Sequence, residues 1–291
     1  MPRARREPAP PPSTALSEET KTALKTYLKQ FVEGLIQKTA RRQSDRDTED
    51  ALSSGRDTVK PFHEAILPSR IRAVSEFERS FSTRLGSTFE ACAQIIAAQY
   101  HKQAQRGYKL QTTVSRSALE EVDIQIRAFE SMATKAQRLR FDDMVAAVLS
   151  KASDDDAEKL SITADLYILR HDGTELFFEI KSPQPNKGQC LEVTQRLLRI
   201  HLARRQPRPQ VQAFFAMPYN PYGDARSDYR WRYAIDYTPF EDAVRIGQEF
   251  WSLVGTDSTY RELLQIYAEV GQECEQAILQ LFGYPIRISQ S

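Results

Sequence analysis

The sequence predicts an α/β (mixed α+β) fold, a small sheet-based core inside a mostly helical chain, on three observations. Two runs rich in Leu, Ile, Tyr and Phe, residues 164–170 and 175–181, flank a His-Asp-Gly turn and read as a β-hairpin. Residues 189–204 follow as an amphipathic helix with Leu191, Thr194, Leu198 and Leu202 on its core side. Residues 211–217 (VQAFFAM) then read as a buried strand. Strand, helix and strand in that order imply a right-handed parallel crossover. With a helix upstream, the core is helix, β-hairpin, crossover helix, strand.

Taken in order, residues 1–16 are rich in Pro, Ala and Arg and predict an extended or disordered tail, with Arg3, Arg5 and Arg6 as possible nucleic-acid contacts. Ser17 caps a helix with Glu18 and Glu19 in its first turn and a stripe of Leu24, Leu28, Phe31, Val32 and Leu35. Residues 41–57 are polar and predict a loop. Residues 71–105 carry Val74, Phe77, Phe81, Leu85, Phe89, Ala93, Ile96 and Tyr100 at helical spacing, with Glu90 beside Gly86, Ala93 and Ala97. A short strand is expected at 108–114, helices over 117–152, and an acidic loop at 154–158. Beyond the core, Asn220-Pro221-Tyr222-Gly223 has the composition of a type I turn. Helices at about 240–254 and 258–282 are expected to close the chain.

The hairpin carries the chemistry. Side chains alternate along a strand, so Glu179 and Lys181 share a face with Ile180 opposite. A two-residue Asp-Gly turn would set Asp165 across from Ile180, on the wrong face. A three-residue loop of His171, Asp172 and Gly173 shifts the pairing and sets Asp165 across from Glu179; it requires Gly173 at positive φ. Two carboxylates at that distance repel unless a cation lies between them, and hard oxygen ligands suit Mg²⁺. Asp165 and Glu179, with Ile180 between Glu179 and Lys181, form the candidate metal site, and Lys181 is placed to orient water or stabilise phosphate charge. Such a site hydrolyses phosphodiesters. Acids at a strand start and a Glu-x-Lys at a strand end are also ordinary solvated residues, and the hairpin alone does not decide between the two readings. Ser182-Pro183-Gln184-Pro185 cannot continue the ladder, so Lys181 ends its strand.

The 291 residues, 41% hydrophobic, suffice for one large domain or two small ones. Forty Lys and Arg nearly balance 39 Asp and Glu, but residues 181–235 hold ten basic and three acidic groups, a net of +7, while 236–291 carry a net of −6. The basic block starts at Lys181, as a phosphate-binding surface would. Lys187, Gln189, Arg196 and Arg199 are its candidate DNA contacts. Arg226, Arg230 and Arg232, interleaved with Tyr229, Trp231 and Tyr233, are candidates for base readout. An alternating strand with Arg outward and aromatics inward is the plainer alternative, and the two are compatible. Three widely spaced cysteines argue against a zinc ribbon and for a reducing, cytoplasmic setting. His63, His101, His171 and His201 lack metal-ligand spacing, and no G-x-x-x-x-G-K-[ST] motif is present. No apolar run is long enough to span a bilayer.

The segments FSTRLGSTFE, EIKSPQPNKGQ, AMPYNPYG and RIGQEFWSLVG…TYRELL, in this order, make the chain resemble the TdeIII-type group of type II restriction endonucleases, within the PD-(D/E)xK nuclease superfamily. The resemblance is closest over 164–271, and Ala164 departs from the Pro often found there. It implies a restriction-endonuclease-like core in which Asp165 and Glu179 are metal ligands, Lys181 the catalytic lysine and Glu90 an accessory acid. It also implies Mg²⁺-dependent cleavage of double-stranded DNA to 5′-phosphate ends, a homodimer matched to a palindromic site, and a cognate DNA methyltransferase as genetic partner. The expected organisation is a tail (1–16), a helical region with the Glu90 helix (17–155), a catalytic core (156–219) and a recognition segment with C-terminal helices (220–291). A repair or junction-resolving nuclease and a catalytically silent DNA-binding module are the alternatives.

Overall fold

The structure, a computed structural model, describes residues 15–49, 65–133, 139–153, 156–205 and 210–284; the N-terminal arginines and residues 50–57 of the expected loop lie outside these. In chain order the elements are α1 (Glu18–Glu49), α2 (Ser69–Tyr100), β1 (Gln103–Ser115), α3 (Arg116–Met132), α4 (Phe141–Ser150), β2 (Ala157–Leu169) and β3 (Glu175–Ile180). There follow α5 (Lys187–Ala203), β4 (Val211–Met217), a 3-10 turn (Arg226–Asp228), α6 (Arg232–Tyr237), α7 (Phe240–Ala243), β5 (Val244–Ile246), α8 (Gln248–Val254) and α9 (Thr259–Leu281). The fold is the mixed α/β one expected, a restriction-endonuclease-like core in a mostly helical chain.

The chain forms two compact units. One comprises Ala93–Glu262 with the described part of Met1–Thr20, the other Lys21–Cys92 with the described part of Leu263–Ser291. The first holds a five-stranded sheet in the order β1-β2-β3-β4-β5. The β1–β2 and β2–β3 pairs are antiparallel, and the β3–β4 and β4–β5 pairs parallel. All six residues of β3 are buried, as a central strand requires. Helix α5 makes the crossover from β3 to β4 and packs on β1, β2 and β4 and on α3 and α4. Its start is fixed by a capping box: Asn186 Oδ1 accepts from the Gln189 N–H and Gln189 Oε1 from the Asn186 N–H, each at 2.9 Å.

The second unit is helical. Leu24, Leu28 and Leu35 of α1 are buried as the stripe predicts. Phe31 meets Phe81 and Phe77 meets Phe282, with ring centroids 5.8 and 5.6 Å apart. Thr88 and Tyr267 share a hydrogen bond of 2.8 Å, and Lys25 pairs with Glu269.

Four expectations need correction. Helix α1 runs on to Glu49, through residues expected to be loop: no Gly or Pro lies between Gly34 and Gly55, and a nucleated helix propagates through polar residues. β1 is 13 residues long rather than a short 108–114 strand, because it pairs with β2 along its length. The helix expected over 240–254 is broken by β5, which pairs with the end of β4; the Gly247 N–H donates to the Met217 carbonyl at 2.9 Å, with Gly247 at φ +52°. Residues 224–237 form the 3-10 turn and α6, not an alternating strand.

Candidate active site

Hairpin geometry settles which side chains meet. The Arg170 N–H donates to the Thr174 carbonyl at 2.9 Å, and the Gly173 N–H to the Arg170 carbonyl at 3.1 Å. His171, Asp172 and Gly173 therefore form a three-residue loop, with Gly173 at φ +89° as the sequence requires. Asp172 reinforces it by accepting the Thr174 N–H at 2.8 Å, which holds its carboxyl below the usual range. The ladder runs from Leu169↔Glu175 to Leu166↔Phe178, and the same register carried one residue further sets Asp165 opposite Glu179.

Asp165 Oδ2 accepts the Ile180 N–H at 2.7 Å and the Lys181 ammonium at 3.3 Å. The same Nζ lies 3.8 Å from Glu179 Oε2. Lys181 thus stands between two carboxylates at the end of its strand, where its own N–H makes a last ladder bond to the Ala216 carbonyl at 3.1 Å. Ile180 is buried, with its main chain tied to Asp165. Glu179 is wholly buried; Oε2 accepts from Arg196 at 2.8 Å, while Oε1 is buried with no hydrogen-bond partner. Burial, then the Asp165 charge, pushes its carboxyl up to about 8, against the opposing pull of Arg196 and Lys181. Among the described residues no group of three or more His, Cys, Asp or Glu is arranged to hold a metal ion. The donor set is therefore a carboxylate pair, and its orphaned oxygen fits a hard cation.

The structure distributes the other candidates unevenly. Glu90 lies on α2, half-buried, in the second unit. Lys187 pairs with Glu130 at 2.6 Å and its ammonium lies 4.9 Å from the Tyr237 ring. Gln189 is engaged in the capping box. Arg199 lies 3.9 Å from Asp123. Arg230 is exposed, 5.3 Å above the Tyr222 ring, and Arg232 is exposed beside Asp236 at 3.0 Å.

Arg226, a candidate for base readout, is engaged by the protein's own groups. Its guanidinium donates to Glu249 at 2.7 Å and to the Val244 carbonyl at 3.2 Å, bonds the Phe240 carbonyl, and lies 4.3 Å above the Phe240 ring. It ties the 3-10 turn to α7, β5 and α8 and is directed inward.

Two features were missed in the sequence. Gly107, at φ +57° in β1, falls between the Arg106↔Leu166 and Tyr108↔Ala164 pairs, so it faces Asp165 with no side chain; a glycine inside a strand was the available signal. The loop after Lys181 is also held by the Arg-aromatic segment. Tyr229 OH donates to the Pro183 carbonyl at 2.5 Å, Trp231 Nε1 to the Pro185 carbonyl at 2.7 Å, and Gln184 to Tyr222 OH at 2.9 Å. No sequence signal pairs these positions.

A mixed sheet with an acid-bearing hairpin at its centre and a lysine closing the middle strand is the core of a restriction-endonuclease-like enzyme. Comparison with known proteins makes the assignment specific. The family model described as "Type II restriction endonuclease, HinfI" matches residues 18–271, and the chain belongs to that family. It is 45% identical over 256 residues to the type II restriction enzyme HgiCII of Herpetosiphon aurantiacus, covering 87% of this chain and 93% of the relative. HgiBI and HgiEI of the same organism are 43% and 44% identical over 274 and 276 residues, 91% of this chain and the whole of each relative. The class expected from the sequence, a type II site-specific deoxyribonuclease, holds; the matching family is the HinfI one. No described helix is long and apolar enough to cross a membrane.

Proposed function

We propose that this restriction enzyme cuts both strands of duplex DNA at the centre formed by Asp165, Glu179 and Lys181, with Mg²⁺ as cofactor. The observation that carries the reading is the buried, unpartnered Glu179 Oε1 across the hairpin from Asp165. Both hydrogen bonds to Asp165 fall on Oδ2, so Oδ1 and Glu179 Oε1, with the Ile180 main chain beside them, are the oxygens offered to a cation. Asp165 and Glu179 would hold a divalent ion there, which would supply polarisation of the phosphoryl group and acidification of water. Lys181 stabilises charge that develops on the scissile phosphate. Water oxygen bonds to phosphorus, the bond to the 3′ oxygen breaks, and the products are a 3′-hydroxyl and a 5′-phosphate.

The same proposal takes Asp165 and Glu179-Ile180-Lys181 as a PD-(D/E)xK signature, and EIKSPQPNKGQ and AMPYNPYG as a TdeIII-like arrangement around it. Exposed Arg230 and Arg232 read bases, and Lys187, Gln189 and Arg199 line the phosphates. The enzyme works as a homodimer on a palindromic site, in the cytoplasm, beside a cognate methyltransferase. Digestion of a sequenced phage genome tests this: Mg²⁺ yields discrete fragments with 5′-phosphate ends at one repeated sequence, and EDTA abolishes them. A smear, or cutting in EDTA, would contradict it.

A further inference from the structure

We infer that Arg196 is a positioning residue for the metal site, holding one edge of Glu179 so that the other stays aimed at the cation. The inference rests on the metal-site reading above. The two terminal nitrogens of its guanidinium do different work: Nη1 donates to Glu179 Oε2 at 2.8 Å, Nη2 to Glu192 Oε1, also at 2.8 Å. Glu192 lies one turn earlier on α5 and is exposed, so the pair is an i,i+4 tether that fixes the fork on the helix surface. α5 itself is pinned by its capping box and by its packing on the sheet.

Glu179 is the strand residue that this fork reaches, and it is wholly buried. A carboxylate with both oxygens free would rotate, or turn both toward Lys181. With Oε2 occupied by Arg196, Oε1 is the oxygen left unpartnered. Ligating carboxylates are commonly oriented by hydrogen bonds of this kind, and losing the partner typically weakens metal binding by about 10–100-fold. Arg196 is thereby drawn away from the phosphate-contact role that the basic block suggests for it. A lysine would keep the charge but could not bridge Glu192 and Glu179 in one plane.

The test is Mn²⁺ binding to the DNA-free protein, followed by electron paramagnetic resonance and calorimetry, for wild type, Arg196→Met, Arg196→Lys, Glu192→Gln and Asp165→Asn. Arg196→Met is expected to bind about 10–100-fold more weakly, with Arg196→Lys recovering only part of the loss. Glu192→Gln, changed at an exposed site that leaves the ion pair with Glu179 in place, is expected to weaken binding several-fold and keeps the test open if Arg196→Met fails to fold. In cleavage assays the loss should appear as a higher Mn²⁺ requirement, recovered at high Mn²⁺. Metal-free DNA affinity of Arg196→Lys and Glu192→Gln should stay within about twofold of wild type.

Wild-type Mn²⁺ affinity in the Arg196 and Glu192 variants, with loss in Asp165→Asn, would overturn this inference and leave the metal site standing. So would a drop in metal-free DNA affinity with unchanged Mn²⁺ binding. Wild-type Mn²⁺ affinity in Asp165→Asn would overturn the metal-site reading, and the inference with it.

Discussion

Replacing Gly173 by Ala probes the turn that sets the register of the site. Gly173 has φ +89°, and a Cβ built there meets nothing within 4 Å. Contact with neighbours is thus removed from the problem, and backbone strain alone remains. An L-residue held in the left-handed region loses about 1–2 kcal/mol. For a chain of this size that corresponds to a fall in Tm of roughly 2–8 °C. Asn tolerates such dihedrals better, so Gly173→Asn should lose less than Gly173→Ala. Urea unfolding and calorimetry of the three proteins in EDTA measure the difference. Cleavage below the melting range should persist in both variants, because the hydrogen bonds of Arg170 and Thr174 and the buried β3 still favour the native register. If Gly173→Ala were as stable as wild type, the loop would not hold a left-handed residue. The pairing of Asp165 with Glu179 would then need another cause.

Other expectations follow from the same geometry. In EDTA the Glu179 carboxyl is pushed up to about 8 in the folded protein from an ordinary value of 4.5, so the folded state holds the proton more tightly. Its contribution is full below about pH 4.5 and is lost as pH rises toward 8, on the order of 5 kcal/mol in all. Glu179→Gln should flatten that decline and resist urea better than wild type at pH 9, with little difference at pH 5; parallel pH profiles would show that Glu179 is not buried as a costly anion. Arg226→Met should destabilise by about 2–3 kcal/mol, allowing for partial exposure, since it takes the cation from Glu249 and a donor from the Phe240 carbonyl. Cleavage at the recognition site by the folded fraction should be unchanged. A fully stable variant with altered site preference would return Arg226 to base reading.

How much of this was legible varies with the range of the interaction. The hairpin, its odd loop and the VQAFFAM strand are local, and alternation, a turn glycine and an apolar run reveal them. β5 is only three residues long and owes its existence to the edge of β4, so its composition reads as helix. β1 begins with Gln103, Ala104, Gln105 and Arg106, a mostly polar run whose strand state comes from β2. Interleaved Arg and aromatic residues look alike whether directed outward or inward. Only the position of Glu249 and the carbonyls of Phe240 and Val244 decides that Arg226 points inward. Arg196 is the same case: a basic residue on an amphipathic helix suggests phosphate, while the buried carboxyl it reaches is Glu179, 17 residues away.

The most direct test of the central claim is the rate of Mg²⁺-dependent cleavage of a plasmid bearing one site, by folded Asp165→Asn and Lys181→Ala proteins. Each should fall by at least about 10²-fold, while DNA binding without metal is retained. Either variant cutting as fast as wild type would place the chemistry elsewhere on the protein.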